Sequence, residues 1–287
     1  MPAPTTFEAL TDLVDADRYP VDRPHDPMLR SVIGSARADL ARTGCALLEG
    51  FVRADAHDTL RAETAELAPL AHTSAKHITA YSDAGVNDWP ADHPRRRLLT
   101  MTNGFVTKDQ IPDDTLVQRL YRSRDFERLI AACLSKERIF PFADPMRGLV
   151  ANVMRPGDEL PWHFDANEFV VSLMTKRAEN GGTFEYCPDI RTAGDERYGD
   201  VRAVLDGGHD GVHRLDLEVG DLQIFQGRYS MHRVVPGDSD RHTVVFGFSE
   251  MPDYVGGVET ARLVYGRALQ AHIDADSASH DDGLAGR

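Results

Sequence analysis

Leu160-Pro161-Trp162-His163-Phe164-Asp165 is the stretch that decides how the rest of the chain is read. Pro161 favours an extended residue before it and disfavours a helix. Side chains alternate across an extended strand, so His163 and Asp165 point the same way and can chelate one ion. His232 follows 67 residues after Asp165, and Arg241 lies nine residues further on. Two imidazoles and one carboxylate can occupy one face of an octahedral iron(II) and leave three positions open. The mixed N/O set suits iron(II) or manganese, and the lack of a thiolate argues against structural zinc.

Alone, the His-x-Asp pair is weak, because a chain with 12 histidines produces chance pairs. His209 and His213 are four apart, but Asp210-Gly211 between them argues against a helix that would align them. His72 and His77 sit in an irregular segment. Four features single out the favoured triad. Gly181-Gly182-Thr183-Phe184 opens a strand after it, and Gly220-Asp221-Leu222-Gln223-Ile224-Phe225 precedes the second histidine. His232 itself stands in a strand-like segment. Arg241-His242-Thr243 then opens an apolar strand on which Arg241, Thr243 and Val245 share a face. An arginine on an inner sheet face needs a partner, since an unpaired buried charge is very costly. Its planar fork matches a carboxylate, either of a dicarboxylate co-substrate or of a protein Asp or Glu.

Working outward, residues 27–43 carry Leu29, Val32, Ile33, Ala36 and Leu40 at helical spacing, and Gly44 stops the helix. Residues 45–48 read as a short buried strand. Residues 54–70 and 113–135 are expected to be helices. Residues 72–97 lack periodicity and are long enough to act as a lid, with Tyr81 and Trp89 as candidates to close over a substrate. Strands are expected at 148–154, 168–175, 182–186, 212–217, 222–225, 230–235 and 241–248, with loop from 190 to 212. Short strands separated by turns, after helices, predict a mainly β or α+β fold: a sandwich or jelly roll buttressed on one side. One last helix is expected at 258–275. The expected organisation is a single domain over 1–287: helical support and an irregular segment to 140, a jelly-roll core at 141–252, a C-terminal helix at 253–275 and a disordered tail at 276–287.

Composition narrows the partners. The net charge of −14 repels polyanions, so nucleic acid is excluded; Arg95-Arg96-Arg97 is a short run without interleaved aromatics. Three cysteines, Cys45, Cys133 and Cys187, give neither a disulfide framework nor a Cys-x-x-Cys zinc pair. The start, Met1-Pro2-Ala3-Pro4-Thr5-Thr6, does not read as a signal peptide, and no run approaches the roughly 20 apolar residues of a membrane span. A reducing cytoplasm and a monomer or homodimer are the expectation.

Taken together, His163-x-Asp165, His232 and Arg241-x-Thr243 resemble the motif of the iron(II)- and 2-oxoglutarate-dependent oxygenases, in the right order over residues about 145–250. The resemblance implies a double-stranded β-helix (jelly-roll) core with flanking helices. It implies His163, Asp165 and His232 as iron ligands, and Arg241 with Thr243 on the distal carboxylate of 2-oxoglutarate. Asn152 is a further candidate contact to 2-oxoglutarate. Fe(II), 2-oxoglutarate and O2 are the implied cofactors.

The stretch 162–169, Trp-His-Phe-Asp-Ala-Asn-Glu-Phe, followed by Phe184-Glu185-Tyr186-Cys187-Pro188, resembles a subgroup that contains halogenases and hydroxylases of free amino acids. In its halogenases the carboxylate position is Gly, which vacates a site for chloride. Asp165 stands there in this chain, so the resemblance implies hydroxylation of an aliphatic C–H bond of a free amino acid or small amino-acid-derived metabolite, with release of succinate and CO2. Trp162 is a pocket wall or a core side chain; Asn167 is a substrate candidate; Glu168 meets a substrate ammonium or pairs with an arginine. Desaturation, cyclisation and halogenation are the alternative outcomes of the same cofactor chemistry. A cupin-type metal enzyme without co-substrate, or a non-catalytic jelly-roll binding module, are the readings outside the class.

Overall fold

The computed structural model describes residues 10–81 and 88–278. A single turn, α1 (Leu10–Leu13), precedes α2 (Pro27–Thr43). The Asp26 carboxylate accepts the Met28 N–H at 2.8 Å and Pro27 occupies the first turn, where its missing N–H is not needed. Gly44, at φ +66°, closes α2 by donating its N–H to Leu40 O. The remaining helices are α3 (His57–Leu67), α4 (Leu116–Arg122), α5 (Arg124–Cys133), α6 (Tyr198–Leu205), α7 (Val258–Tyr265) and α8 (Gln270–Ala278).

The strands, in chain order, are β1 (Cys45–Leu48), β2 (Lys76–Ile78), β3 (Leu99–Met101), β4 (Gly104–Thr107), β5 (Phe140–Pro141), β6 (Leu149–Met154), β7 (Leu160–His163), β8 (Val170–Lys176), β9 (Phe184–Cys187), β10 (His213–Leu215), β11 (Leu222–Phe225), β12 (Met231–Val234), β13 (Arg241–Phe246) and β14 (Phe248–Ser249). They form an antiparallel six-stranded sheet ordered β1-β11-β8-β13-β6-β4 and a four-stranded one ordered β10-β9-β12-β7. From β6 to β9 and from β10 to β13 the chain alternates between the two large sheets, while β9 and β10 are neighbours in the four-stranded one. The result is the double-stranded β-helix, or jelly roll, with helices packed against it.

Alternation on the large sheet explains why it has two different faces. Leu173, Ile224, Val244 and Phe246 point outward and join Leu60, Leu120, Phe126 and Ile130 of the helices in one buried cluster. Each such side chain contributes about 1.5–3 kcal/mol when fully buried. The intervening residues, Asn152, Ser172, Gln223, Arg241 and Thr243, are polar and border an internal cavity. A sheet serving only as a core would carry apolar residues there.

The structure corrects several expectations. The helix expected at 113–135 is two, because Ser123 is extended (φ −77°, ψ 124°) and caps α5 by accepting the Phe126 N–H. The helix expected at 258–275 is also two: Gly266, at φ +71°, ends α7 before α8 begins. The expected loop at 190–212 contains α6, which buries Val201, Val204 and Leu205. The irregular segment includes β2, which pairs with β3, and a 3₁₀ turn at Pro94–Arg96. The tail expected to be disordered from 276 is helical to Ala278; positions 279–287 and 1–6 lie outside the described residues, as do 82–87 within the expected lid.

Candidate metal centre and co-substrate cavity

β7 ends at His163, and His232 on β12 is its direct cross-strand partner, with a register shift before Val234. The ring centroids lie 4.1 Å apart. Each Nδ1 faces a backbone carbonyl two residues earlier in the chain, Pro161 O at 2.8 Å for His163 and Ser230 O at 3.2 Å for His232. An imidazole that donates from Nδ1 keeps its lone pair on Nε2, so both rings offer Nε2 to one point. Asp165 lies just beyond β7, where the strand has already ended; its N–H donates to Gly227 O at 3.0 Å. Its Oδ1 is 3.9 Å from His163 Nε2 and its Oδ2 3.6 Å from His232 Nε2. The ligand atoms of these three residues all lie within 4.8 Å of one another.

The electrostatics fit a cation at this point. Asp165 Oδ2 is buried without a hydrogen-bond partner. Burial pushes the Asp165 carboxyl above its ordinary range, with His163 opposing. Burial, reinforced by His163, holds the His232 imidazole well below its ordinary value, so it is neutral and free to ligate. A metal ion supplies the positive charge that the carboxylate lacks and accepts the neutral lone pairs. Phe184 and Phe225 wall His232, with ring centroids at 5.5 and 4.8 Å.

Gly227 makes the arrangement possible. A Cβ at this position would stand 1.7 Å from Asp165 Oδ2, so any other residue displaces the carboxylate.

Arg241 stands at the start of β13 on the inner face, 4 % exposed. Its Nε has no partner, and no carboxylate among the described residues pairs with it. Burial lowers its pKa from 12.5 to about 10. Thr243, two residues on, is the Cα partner of Asn152 on β6. Asn103 Nδ2 donates to Asn152 Oδ1 at 2.8 Å, which leaves the Asn152 Nδ2 to donate elsewhere. The metal triad, Arg241, Thr243 and Asn152 all border one cavity of ≈ 270 Å³. That is a site able to hold an ion at one end and a dicarboxylate reaching to the arginine at the other.

Other sequence candidates fall differently. Asn167 borders the cavity. Trp162 does not: it packs in a separate buried cluster with Phe164 and Met231, under the Arg233 guanidinium at 4.7 Å. Glu168 is on the surface, accepting from Lys136 Nζ at 3.2 Å, so its partner is a lysine of the protein. Tyr81 packs against Phe164 and Trp89 stacks on His93, both beside Tyr198 of α6 and outside the cavity lining. The sequence reading missed Ser172 and Gln223, hydrogen-bonded to each other at 3.1 Å on the cavity face. A polar residue inside an otherwise apolar strand was the signal in each case. Gly227 and Arg147, which also borders the cavity, carried no local signal.

Comparison with known proteins agrees with this geometry. The Halogenase D family model matches residues 29–262. No curated protein matches the chain in sequence. AviO1 from Streptomyces viridochromogenes Tue57 superposes with TM-score 0.53 at 19% identity, covering 77% of this chain and 96% of that one. The non-heme alpha ketoglutarate dependent epimerase SnoN from nogalamycin biosynthesis gives 0.52 at 14% identity, covering 77% and 83%. A prolyl hydroxylase from Trichoplax adhaerens gives 0.50 at 14%, covering 76% and 88%. These likenesses concern the fold. No helix among the described residues is long and apolar enough to cross a membrane. With the family model spanning most of the sequence, the chain belongs to the Halogenase D family, and its His163, Asp165 and His232 donor set suits an iron ion.

Proposed function

We propose that the chain hydroxylates an aliphatic C–H bond of a free amino acid or a small amino-acid-derived metabolite, and does not halogenate it. One observation carries this reading: the third donor at the metal point is the carboxylate of Asp165, with an oxygen facing each imidazole. A halogenase of this kind needs that position empty for chloride, and Asp165 fills it. Iron(II) with 2-oxoglutarate and O2 supplies the oxidant for the C–H bond, with release of succinate and CO2.

The chain's own residues do the positioning. His163 and His232, through Nε2, and Asp165, through its carboxylate, would hold the ion. Arg241 and Thr243 receive the distal carboxylate of 2-oxoglutarate, and Asn152 donates beside it. Phe184, Phe225 and Phe169 line the cavity and limit water near the reacting atoms. Asn167, two residues after Asp165, lines the same cavity and would contact the substrate there.

The test is anaerobic loading with iron(II) and 2-oxoglutarate, then exposure to O2 with an amino-acid panel, with and without chloride. Coupled succinate release and a product heavier by one oxygen atom, independent of chloride, are expected. His163→Ala should lose stoichiometric iron(II) binding together with product. A chlorinated product sinks the argument from Asp165, and turnover unaffected by omitting 2-oxoglutarate sinks the assignment of Arg241.

A further inference from the structure

The cavity has an uneven charge inventory. Its described lining carries three cations, Lys76, Arg147 and Arg241, but one carboxylate, Asp165, which is already committed to the metal point. The co-substrate accounts for Arg241. Strand register places Arg147 elsewhere, and Lys76 lies near it through Val264, the neighbour of Tyr265. In the β13–β6 pair Arg241 faces Met154 at one end and Phe246 faces Leu149 at the other, a separation of about 16 Å at ~3.3 Å per residue. Arg147 precedes β6 by two residues and so stands beyond the Leu149 end. The start of β8, which follows the Asp165 segment, lies at that same end, because Val171 faces Phe246. Arg241 and Arg147 therefore mark opposite ends of the cavity, and the segment that carries Asp165 into β8 enters at the Arg147 end.

Arg147 is held in place rather than left to wander. Its own N–H and that of Met146 donate to Asp144 Oδ1 at 2.7 and 2.8 Å, and the Gly256 N–H donates to Asp144 Oδ2 at 2.9 Å. A Cβ at Gly256 would stand 2.3 Å from Arg147 Nη1, so the glycine clears room for the guanidinium. The side chain hydrogen-bonds to Tyr265 and reaches Tyr254 Oη at 3.5 Å, but it is paired with no carboxylate among the described residues. Burial works against its charge, and the two phenols and Asp144 outweigh that, so its pKa is raised. Lys76, 8 % exposed, uses one N–H on Val264 O at 2.7 Å and is likewise without a carboxylate. Two cations at one end of the cavity, neither in a salt bridge with a carboxylate of the described residues, are a receptor for an anion.

We infer that Arg147, with Lys76 and Tyr265 beside it, binds a carboxylate of the primary substrate and so turns a neighbouring aliphatic carbon toward the metal point. This rests on the oxygenase reading and narrows it to substrates that keep a free carboxylate; esters and amides are rejected.

The test is calorimetric titration of the anaerobic protein loaded with iron(II) and 2-oxoglutarate. The probes are the proteinogenic L-amino acids, their N-acetyl derivatives and the matching carboxamides. The tightest binder is expected to be an acid whose carboxamide binds at least about 10-fold more weakly. Arg147→Gln should weaken that acid on the order of 10- to 100-fold while leaving its carboxamide and 2-oxoglutarate unchanged, and Arg147→Lys should recover part of the loss. No acid preference in the wild type overturns the inference without recourse to any variant. Equal weakening of acid and carboxamide by Arg147→Gln, or loss of 2-oxoglutarate affinity, also overturns it. Wild-type protein that fails to bind 2-oxoglutarate at all speaks against the oxygenase reading; intact co-substrate binding without acid preference speaks against the subsite alone.

Discussion

Replacing Arg241 by Met should make the ligand-free protein more stable while removing its affinity for 2-oxoglutarate. The guanidinium is buried, its Nε is unpartnered, and burial has lowered its pKa from 12.5 to about 10. At about 1.4 kcal/mol per tenfold change in proton affinity, holding the charged form in place costs about 3 kcal/mol. The sign follows from the depressed value. The folded state disfavours the proton, so this penalty is fully present at any pH below about 10 and is relieved only as pH rises through 10 toward 12.5. At neutral pH the wild type bears all of it. Met keeps a stem of similar bulk and brings no charge, so about 3 kcal/mol is an upper value for the gain. In a chain of this length that corresponds to a rise in Tm of roughly 5 °C. Wild type, in turn, should gain about 2.7 kcal/mol from 2-oxoglutarate at a hundredfold excess over Kd, with metal present. The variant should gain nothing from it. Differential scanning calorimetry of both proteins, with and without metal and 2-oxoglutarate, gives all four values. A metal-free variant that melts well below wild type, or one still stabilised by 2-oxoglutarate, would refute both the unpaired charge and its assigned ligand.

Two further outcomes follow from the same geometry. Gly227→Ala should leave far-ultraviolet circular dichroism unchanged but weaken iron(II) binding by roughly 10- to 100-fold, because the new methyl group takes the place of Asp165 Oδ2; unchanged affinity by anaerobic titration counts against the role given to Asp165. His242, 1 % exposed with neither ring nitrogen partnered, has its pKa lowered from 6.5 to about 4 by burial, with Lys176 contributing. The unfolded chain takes up this proton below 6.5 and the folded chain only near 4, so stability falls as pH drops through that window, by about 3 kcal/mol in all. Urea midpoints of wild type and His242→Leu should therefore diverge in favour of the variant between pH 7 and 4; parallel curves would show that His242 does not titrate in this way.

Much of the site was legible because it obeys local rules. His163 and Arg241 lie on strands whose period-two pattern assigns them a face, and Pro161 forbids the helix that would have scattered them. Asp165 was placed correctly beside His163 for a reason the pattern does not contain: the strand ends at His163, and the backbone hydrogen bond to Gly227 positions the carboxylate. The helix breaks were missed where one residue overrides periodicity. Ser123 offers its hydroxyl as a cap in the middle of an apolar stripe, and Gly266 adopts a left-handed conformation that a helical pattern cannot reveal. Glu168 follows the metal motif in sequence, yet the chain turns it outward to Lys136, so closeness in sequence was no guide to closeness in space.

The polar inner face of the large sheet ties these observations together. A jelly roll of this size can be closed by apolar side chains alone, and the outward face shows that the sequence has the means. Around the cavity it places instead an unpaired arginine, a carboxylate oxygen without a donor, and two more cations. The Arg241 guanidinium and the Asp165 carboxylate each raise the free energy of the empty protein until a partner of opposite charge arrives. A cation at the triad, one carboxylate at Arg241 and a second at Arg147 would satisfy the whole set. The same residues that weaken the ligand-free fold therefore define what the loaded protein must contain, and folding stability and ligand selectivity become two measurements of one charge distribution.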